Sequence, residues 1–311
     1  MKVLFVGLGS IGRRHLKNLF TQAEKRGLSV QADALRHGGG GPLPGDIKRL
    51  VHSEYTDAAD LGWYDAVFIT NPTQLHFEAI AALSEKTGAF FIEKPIFESG
   101  AHTLEEAGLK GKKAYIAAPM RFCKTYMELK KRLPGWRCCS ARVLCSSYLP
   151  QWRPGVDYRT VYSAKKELGG GVTIDLIHEW DYLTDLFGFP LECRNFKGRY
   201  SQLEIDSDDL SVYIARYPDM LAEVHLDYIG RGYRRSIELL TDVGNVTADF
   251  GEGKLTLPDG ETVDCAEELN ERYLREMAYF LDYLAGAQTE SVNSPEKALR
   301  TLKLTLGEAE K

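Results

Sequence analysis

The first hundred residues alternate between short apolar runs and segments whose apolar positions recur at helical spacing. Three runs are apolar without alternation: VLFV (3–6), DAVFIT (65–70) and AFFI (89–92). Such runs are typical of strands buried on both faces of a parallel sheet. Residues 28–35 predict a further strand, and helices are predicted after the first run and over 73–87. Strands and helices in this order predict a doubly wound α/β Rossmann domain.

From about residue 120 the composition shifts, and strands with short turns predominate. Six segments predict strands: 137–149, 193–203, 210–216, 221–230, 235–241 and 245–257. Helices are predicted near 171–187 and 268–285, and a last helix is predicted to begin at the Ser-Pro of residues 294–295. We therefore predict a Rossmann domain over 1–120 and an α+β domain with a largely antiparallel open sheet over 121–311. Whether the C-terminal helix packs back on the first domain is left open.

Composition and charge narrow the classes of function. The chain has 311 residues, is 44% hydrophobic and 27% charged, and carries a net charge of −5, which is typical of a globular protein with two domains. Because it has no long basic run and no apolar stretch of roughly 20 residues, we expect neither nucleic acid nor membrane as a partner. The apolar run at the N-terminus is too short for a signal peptide, so a cytoplasmic location is expected. The cysteines lack metal-site spacing and are expected to be free.

Three glycines follow the first predicted strand and open the first predicted helix. Gly7, Gly9 and Gly12 match the G-x-G-x-x-G fingerprint of dinucleotide-binding turns. The first glycine permits a tight turn, the second lets a diphosphate approach the backbone, and the third lets the helix pack close to the strand. The helix N-terminus then offers N–H groups to the phosphates. The alternative is a glycine-rich turn that binds no ligand.

The end of the second predicted strand bears on the choice between NADP and NAD. NAD-binding sites carry an acidic residue there, about 20 positions after the glycines. Asp33 lies too early in the strand, and Arg36 stands in the expected place. Since an arginine can pair with a 2′-phosphate, we weakly favour NADP over NAD. The alternatives for Arg36 are stacking on the adenine and a place in solvent.

Two further motifs, TNPTQLH (70–76) and FIEKP (91–95), end successive strands at the edge of the sheet where ligands bind. Together with the glycines they resemble the Gfo/Idh/MocA oxidoreductases, a family that includes glucose–fructose oxidoreductase and inositol dehydrogenases. The resemblance implies that Lys94 lies beside the nicotinamide and the substrate hydroxyl, and that Asn71 and Pro72 border the nicotinamide ribose. It also implies a cis peptide bond before Pro95. The predicted cofactor contacts are Gly7, Gly9, Ser10, Ile11, Gly12, Arg36, Thr70, Asn71, Pro72, His76, Glu93 and Lys94.

A lysine suits the proton step of alcohol oxidation, because a group must accept the hydroxyl proton as hydride leaves the carbon. A free lysine is protonated near pH 7. Burial and the positive ring of an oxidised nicotinamide both favour the neutral amine. The sequence leaves open whether Lys94 is the base or a charged group that orients the oxygen.

The segment GGGVTIDLIHEWDYL (169–183) is the second candidate for catalytic residues. Asp175, His178 and Asp181 recur at i, i+3 and i+6, broadly on one face of a helix. A zinc motif would need a second histidine at Tyr182, so we predict no metal. The family carries Asp-x-x-x-His here, and the resemblance gives His178 the role of acid/base partner of the lysine. Asp175 stands one residue nearer to His178 than the family pattern has it, and it either orients the His178 ring or binds a sugar hydroxyl. The alternative for the whole segment is a helix with a solvated acidic face.

The loop SSYLPQWRPGVDYRTVYSAKKELGGG (146–171) resembles a narrower subgroup, often found among enzymes of sialic-acid-like and other surface-sugar pathways. Aromatic faces pack on sugar C–H surfaces, and Arg or Lys hold carboxylates or phosphates, which suits a polyhydroxylated, anionic substrate. For each loop residue, packing of the loop is the alternative. The predicted substrate contacts are Arg121, Trp152, Arg153, Asp157, Tyr158, Lys165, Asp175, His178 and Arg231.

These patterns predict an NAD(P)-dependent oxidoreductase that acts on a secondary alcohol or ketone of a sugar, nucleotide sugar or sugar acid, with Lys94, His178 and Asp175 as catalytic residues. The alternatives are a dinucleotide-binding sensor without turnover and a redox-neutral enzyme that retains its NAD(P). The resemblance also implies a homodimer or homotetramer formed through the sheet of the second domain. Burial by the chain's own helices explains the apolar alternation over 210–230 equally well.

Overall fold

The computed structural model describes residues 1–36 and 41–308, and it divides the chain into two compact units. The first unit comprises Met1–Ala117 and Asn270–Leu299, and the second comprises Ala118–Leu269 and the residues from Arg300 onward. The predicted boundary at residue 120 lies close to the first transition. The prediction differs from the structure at 270–299, which belong to the first unit. Within the described residues no helix is long and apolar enough to cross a membrane.

The helices of the described residues are numbered in chain order. They are α1 (Ser10–Lys25), α2 (Gly45–Lys48), α3 (His76–Leu83), α4 (Lys124–Arg132), α5 (Val172–Asp175), α6 (His178–Phe187), α7 (Leu269–Leu284) and α8 (Pro295–Leu306). The helix predicted over 73–87 is α-helical only in α3, with single 3₁₀ turns at Thr73–Leu75 and Ser84–Lys86. The helix predicted over 171–187 is interrupted between α5 and α6.

A six-stranded parallel sheet forms the centre of the first unit within the described residues. Its strands are β1 (Lys2–Val6), β2 (Gln31–Leu35), β3 (Val51–Tyr55), β4 (Ala66–Ile69), β5 (Ala89–Ile92) and β6 (Lys113–Ile116). Their order is β3-β2-β1-β4-β5-β6, so the direction of winding reverses between β1 and β4. Apolar runs in the sequence predicted the three strands β1, β4 and β5. Each of them has four consecutive buried residues. The predicted doubly wound fold is confirmed.

An aromatic stack joins this sheet to α7. The ring of Phe68 on β4 lies between Phe5 on β1, at 4.4 Å, and Phe91 on β5, at 5.2 Å between centroids. Phe280 of α7 meets Phe68 and Phe91 edge-on, at 5.4 Å and 5.1 Å. Large aromatic side chains that pack in this way bury much apolar area, so the stack anchors α7 in the first unit.

The second unit is built on an eight-stranded sheet within the described residues. Its strands are β7 (Cys138–Ser146), β8 (Glu192–Gly198), β9 (Leu210–Arg216), β10 (Leu221–Asp227), β11 (Arg234–Thr241), β12 (Gly244–Asp249), β13 (Lys254–Thr256) and β14 (Thr262–Asp264). Their order is β14-β13-β12-β11-β7-β10-β9-β8, and neighbouring strands are antiparallel except β7 and β10. The prediction of a largely antiparallel sheet is confirmed, and the strand predicted over 245–257 is two strands.

The two faces of this second sheet differ in polarity. One face is buried and carries Val143, Val224 and Ile237, each at most 2% exposed. These side chains form one hydrophobic core with residues of α4, α5 and α6. Arg142 and Glu223, their neighbours in sequence, are more than half exposed on the other face. The period of two places the core on one side of the sheet.

Candidate active site

The glycine turn after β1 is held in close contact with the end of β4. Gly7 has a φ of +84°, and a Cβ there would lie 2.8 Å from the Cα of Asn71. A Cβ on Gly12 would lie 2.5 Å from the Gly7 carbonyl oxygen and 2.7 Å from Thr70 Oγ1. Thr70 Oγ1 also donates a hydrogen bond to the Gly7 carbonyl at 2.6 Å. Backbone conformation and packing of the chain itself therefore require glycine at positions 7 and 12.

Gly9 is different, because nothing in the described chain explains why it is glycine. Its φ is −69°, which any residue adopts, and a Cβ there would meet no described atom within 4 Å. Helix α1 starts at the next residue, and Arg13 is the first residue of the helix whose N–H bonds back to Gly9. Residues 10–12 form the first turn of the helix, and their N–H groups have no acceptor within the helix. The positive end of the helix dipole lies at this turn. The open space over Gly9 fits a diphosphate on these groups.

The turn after β4 is held in place by the buried side chain of His76. The His76 ring is 1% exposed, and its nitrogens lie 3.0 Å from the Asn71 carbonyl and 3.0 Å from the Pro95 carbonyl. Burial lowers the pKa of His76. Because both nitrogens face backbone carbonyls, the ring ties the turn after β4 to the turn after β5. His76 is therefore not among the cofactor contacts that we propose, whereas Asn71 and the exposed Pro72 remain candidates.

Lys94 follows β5 beside a buried carboxylate. The Lys94–Pro95 peptide bond is cis, which confirms the prediction. Glu93 Oε1 lies 2.5 Å from Nε2 of His15, and Glu93 Oε2 accepts the Lys94 backbone N–H at 3.2 Å. Burial raises the pKa of Glu93, but the hydrogen bond and charge of His15, together with the charge of Lys94, hold it below its usual value. Glu93 is thus an ionised group beside the lysine at neutral pH.

At the end of β2, Arg36 is paired rather than isolated. Its Nη1 lies 2.5 Å from Glu54 Oε2, and its Nη2 donates to the Gly41 carbonyl at 2.7 Å. Lys48 pairs with the other oxygen of Glu54. Hydrogen bonds from Lys48 and Arg36 lower the pKa of Glu54, so the cluster carries two cations and one anion. Asp33 is buried within β2 and accepts the Tyr64 hydroxyl at 3.0 Å, which agrees with its dismissal as a ribose ligand.

In the second unit, Asp175 and His178 flank a break in the helix. Asp175 is the last residue of α5 and His178 the first of α6, with a turn at residues 176–177 between them. Asp175 is buried, and its carboxylate accepts hydrogen bonds from the hydroxyls of Tyr162 and Tyr228, the latter at 2.5 Å. Burial and the charge of Asp175 raise the pKa of both phenols well above the usual value. The prediction that Asp175, His178 and Asp181 broadly share one helix face is wrong, because the turn at residues 176–177 separates Asp175 from α6.

Trp152 belongs to the same cluster. Its ring meets Tyr228 edge-on at 5.1 Å, its Nε1 donates to Ser147 Oγ at 2.9 Å, and the side chain is 37% exposed. The exposed Arg153 lines a small cavity of this loop with Trp152 and Tyr158. The second unit thus brings together three of the predicted residues, Trp152, Arg153 and Asp175, with two tyrosines that bond to Asp175.

Arg121 and Asp157 have other partners. Arg121 is buried and donates to Asp181 through Nε at 3.0 Å and Nη2 at 2.7 Å, and to Asp185 through Nη1 at 2.9 Å. Asp157 pairs with Arg159 at 2.8 Å and accepts its backbone N–H. The buried pairs of Arg121 and the exposed pair of Asp157 with Arg159 give both residues partners within the second unit, so neither is among the substrate contacts that we propose.

The other predicted substrate residues lie at the surface of the second unit. Arg231 stacks 3.8 Å over the ring of Tyr148, and the Tyr158 hydroxyl accepts the Glu204 N–H at 3.2 Å. Lys165 is half-buried, and its carbonyl accepts the Gly170 N–H at 2.9 Å. Within residues 1–36 and 41–308 no three His, Cys, Asp or Glu side chains form a group suited to a metal ion.

This chain is similar in sequence and in fold to known dehydrogenases. Residues 1–116 match the family model described as the oxidoreductase family with an NAD-binding Rossmann fold, Gfo/Idh/MocA. The first 116 residues are therefore similar to that family. A levoglucosan dehydrogenase solved with NADH and levoglucosan has the same fold, with a TM-score of 0.80 at 17% identity over 99% of this chain and 97% of that one.

Two curated relatives of this chain are inositol dehydrogenases. The inositol 2-dehydrogenase of Streptomyces avermitilis is 28% identical over 139 residues, which are 43% of this chain and 40% of that protein. The scyllo-inositol 2-dehydrogenase (NAD(+)) of Bacillus subtilis strain 168 is 26% identical over 200 residues, 62% of this chain and 56% of that protein. The chain therefore spans about half the length of the curated relatives that it matches.

Sequence reasoning missed the partners of the candidate residues. Tyr162 lies in the quoted loop, but nothing distinguishes it there from Tyr158. Tyr228 lies near the end of the strand predicted over 221–230, and His15 follows the glycines at a spacing that also suits a core residue. Each becomes recognisable only through a partner distant in sequence, such as Asp175 or Glu93.

A buried ion pair supports the start of α6. Glu179 follows His178 and is fully buried, and Arg235 on β11 donates to it through Nε at 2.6 Å and Nη2 at 3.0 Å. A buried carboxylate that loses its partner keeps its desolvation penalty without compensation. The pair therefore holds the residue next to His178 in one position.

Replacing Arg235 with methionine is expected to lower the free energy of unfolding by about 3–5 kcal/mol, measured by urea denaturation. The control is Arg142→Met, which breaks the exposed pair of Arg142 with Glu238 (3.5 Å) and is expected to cost at most about 1 kcal/mol. Equal, small effects of the two substitutions would contradict the role assigned to the buried pair.

Proposed function

We propose that this chain is an NAD(P)-dependent oxidoreductase that transfers hydride between nicotinamide and a secondary alcohol or ketone of a sugar, nucleotide sugar or sugar acid. One observation carries the proposal. The glycine turn follows β1, Asn71 follows β4 and Lys94 follows β5, at the carboxyl edge where the strand order reverses. In open α/β sheets this crevice is where ligands bind. The dehydrogenase activities named for the relatives support the same reading.

The first unit supplies the proposed cofactor site. The N–H groups of residues 10–12 and the open space over Gly9 hold the diphosphate, and Asn71 with Pro72 borders the nicotinamide ribose. When bound, NAD(P) supplies the acceptor or donor of hydride. Gly7, Gly12 and Thr70 act indirectly, because their contacts fix the shape of the turn.

Lys94 and His178 carry the proposed proton chemistry. In the direction of oxidation the Lys94 amine accepts the proton of the substrate hydroxyl, and the ionised Glu93 beside it stabilises the ammonium that forms. His178 is the acid/base partner. Asp175 acts through its two tyrosines and holds the break at which α6 begins.

The substrate that we propose is polyhydroxylated. The exposed face of Trp152 suits the C–H surface of a sugar, and Arg153, with Lys165, Tyr158 and Arg231 as weaker candidates, supplies polar groups. Inositol and levoglucosan, in the names of the similar proteins, are polyols. The likeness of the 146–171 loop to enzymes of surface-sugar pathways stays a prediction.

The test of the function is a panel of substrates offered to the purified chain with NAD(P)⁺ or NAD(P)H. The panel holds inositols, levoglucosan, nucleotide sugars and sugar acids with their keto forms, and formation or loss of reduced nicotinamide is followed by its absorbance. Turnover of at least one member is expected. Cofactor binding without turnover across the panel favours the sensor, and cofactor that stays bound through purification while the sugar changes without net redox favours the redox-neutral enzyme.

The preference for NADP rests on Arg36 and Lys48, whose two positive charges exceed the single charge of Glu54. Replacing Glu54 with glutamine removes the carboxylate that competes with a 2′-phosphate for Arg36. We expect this variant to bind NADPH about tenfold more tightly, about 1.4 kcal/mol, with NADH affinity unchanged, as measured by paired fluorescence titrations. Arg36→Ala is expected to weaken NADPH alone. Equal effects on the two cofactors would remove Arg36 from the 2′-phosphate site.

We also propose that the chain forms a homodimer or homotetramer through the open face of the second sheet. Ile214 on β9 and Leu221 on β10 lie on this face and are 46% and 51% exposed. The resemblance to the Gfo/Idh/MocA family is the main support for this proposal, and these two side chains agree with it.

A further inference from the structure

His15 is a buried polar residue that the proposed chemistry does not use. It lies in α1, is 0% exposed, and packs its ring 4.7 Å from Phe91 and 5.9 Å from Tyr273. Nδ1 has no hydrogen-bond partner within the described residues, so the ring carries the cost of an unsatisfied buried polar atom. An apolar side chain of similar shape would fill this place without that cost. Packing alone therefore does not explain a histidine here.

The other ring nitrogen provides the explanation. Nε2 lies 2.5 Å from Glu93 Oε1, and the second oxygen of the same carboxylate accepts the Lys94 backbone N–H at 3.2 Å. The Glu93 side chain is only 13% exposed, so neighbouring groups rather than water must hold it. One carboxylate therefore joins the helix of the glycine turn to the turn that carries Lys94.

We propose that His15 is a positioning residue, which acts through Glu93 to hold a negative charge in one orientation beside Lys94. The inference rests on the proposed role of Lys94. Without the His15 donor, the Glu93 side chain is free to rotate, and in its buried site protonation becomes easier. Either change weakens the stabilisation of the ammonium formed on Lys94. Other titratable groups near the pair are Tyr273 and His76. Arg14, Arg272 and Glu276 lie around Tyr273, and Arg14 stacks 4.6 Å over its ring.

The test compares two substitutions of His15 that differ in hydrogen bonding. Gln can donate an N–H from a position near that of Nε2, whereas Leu cannot. We expect His15→Leu to lower kcat by about 10²-fold, the usual cost of lost positioning, with NAD(P)H affinity unchanged. The acid limb of its pH profile is expected to move to higher pH, because Glu93 protonates more easily. His15→Gln is expected to retain most of the activity and the wild-type profile.

The matched control is a second histidine–glutamate pair of the first unit. His102 Nε2 lies 2.6 Å from Glu98 Oε1, and the His102 ring stacks on Phe77 at 4.0 Å. His102→Leu is expected to leave kcat and its pH profile unchanged. Thermal unfolding of each variant checks that it is folded.

Three outcomes would overturn the inference: wild-type kcat in folded His15→Leu, equal losses in the Leu and Gln variants, or a loss confined to cofactor affinity. A second readout needs no turnover. In wild-type protein labelled with ¹⁵N-histidine, the Nε2 proton of His15, assigned by its absence in His15→Gln, is expected strongly downfield and to move upfield in Glu93→Gln. If the Nε2 proton of His15 is not shifted downfield, the His15–Glu93 hydrogen bond is refuted. If this hydrogen bond is present but the chain turns over no substrate, the proposed function is refuted instead.

Discussion

Replacing Lys94 with methionine is expected to lower kcat by about 10²- to 10⁴-fold, the usual contribution of a positioned acid or base. Affinity for NAD(P)H is expected to stay at the wild-type value, because the diphosphate site lies on the glycine turn and not on this side chain. Methionine keeps the length and apolar stem of lysine and removes only the amine. The measurement is kcat on whichever sugar the wild type accepts, together with a fluorescence titration of reduced cofactor.

The control for this variant is Lys110→Met. Lys110 lies in the same unit, is 74% exposed and pairs with Glu105 at 3.2 Å. Its substitution is expected to change neither kcat nor cofactor affinity. Full activity in Lys94→Met would exclude the lysine from the proton step, and loss of cofactor binding would instead assign it to the cofactor site.

Replacing Gly9 with valine is expected to weaken NAD(P)H binding by more than about 100-fold, or about 2.7 kcal/mol. The free energy of unfolding is expected to fall by at most about 1 kcal/mol, the cost of valine at this helix N-cap, because a Cβ here meets no described atom within 4 Å and the backbone is extended. A side chain there fills only the space that the diphosphate would occupy. Titration of the cofactor and urea denaturation of the same sample separate the two quantities.

Gly12→Ala is the informative contrast. Its Cβ would lie 2.5 Å from the Gly7 carbonyl oxygen, so this variant is expected to lose about 1–3 kcal/mol of stability by overpacking as well as affinity. If Gly9→Val bound the cofactor as the wild type does, the diphosphate would not lie on this turn.

The sheet of the first unit and its ligand edge were predictable because each signal is local. Continuous apolar runs identify β1, β4 and β5, and the glycines stand directly between a strand and a helix. Strand β3 was missed because polar residues alternate along VHSEY at the edge of the sheet. Strand β6 is only four residues long and starts with a lysine, which leaves little pattern to read.

Partners that are distant in sequence were not predictable. Arg121 looked like a substrate ligand because its two aspartates on α6 are about sixty residues away, and only the fold brings them to it. The break between α5 and α6 has no proline to signal it, and the tyrosines that bond to Asp175 beside it come from distant parts of the chain. His15 and Glu93 are separated by 78 residues, and only the fold brings α1 next to the end of β5. In each case a polar group is explained by tertiary contacts and not by its neighbours along the chain.

Transfer of deuterium tests the central claim most directly. A polyol substrate labelled with deuterium at the reacting carbon is mixed with the chain and oxidised NAD(P), and the cofactor is analysed by mass spectrometry after one turnover. The account predicts that deuterium appears in the reduced nicotinamide with the wild type and about 10²- to 10⁴-fold more slowly with Lys94→Met, although both bind the cofactor. Cofactor that binds to the wild type but acquires no deuterium from any substrate of the panel would contradict it.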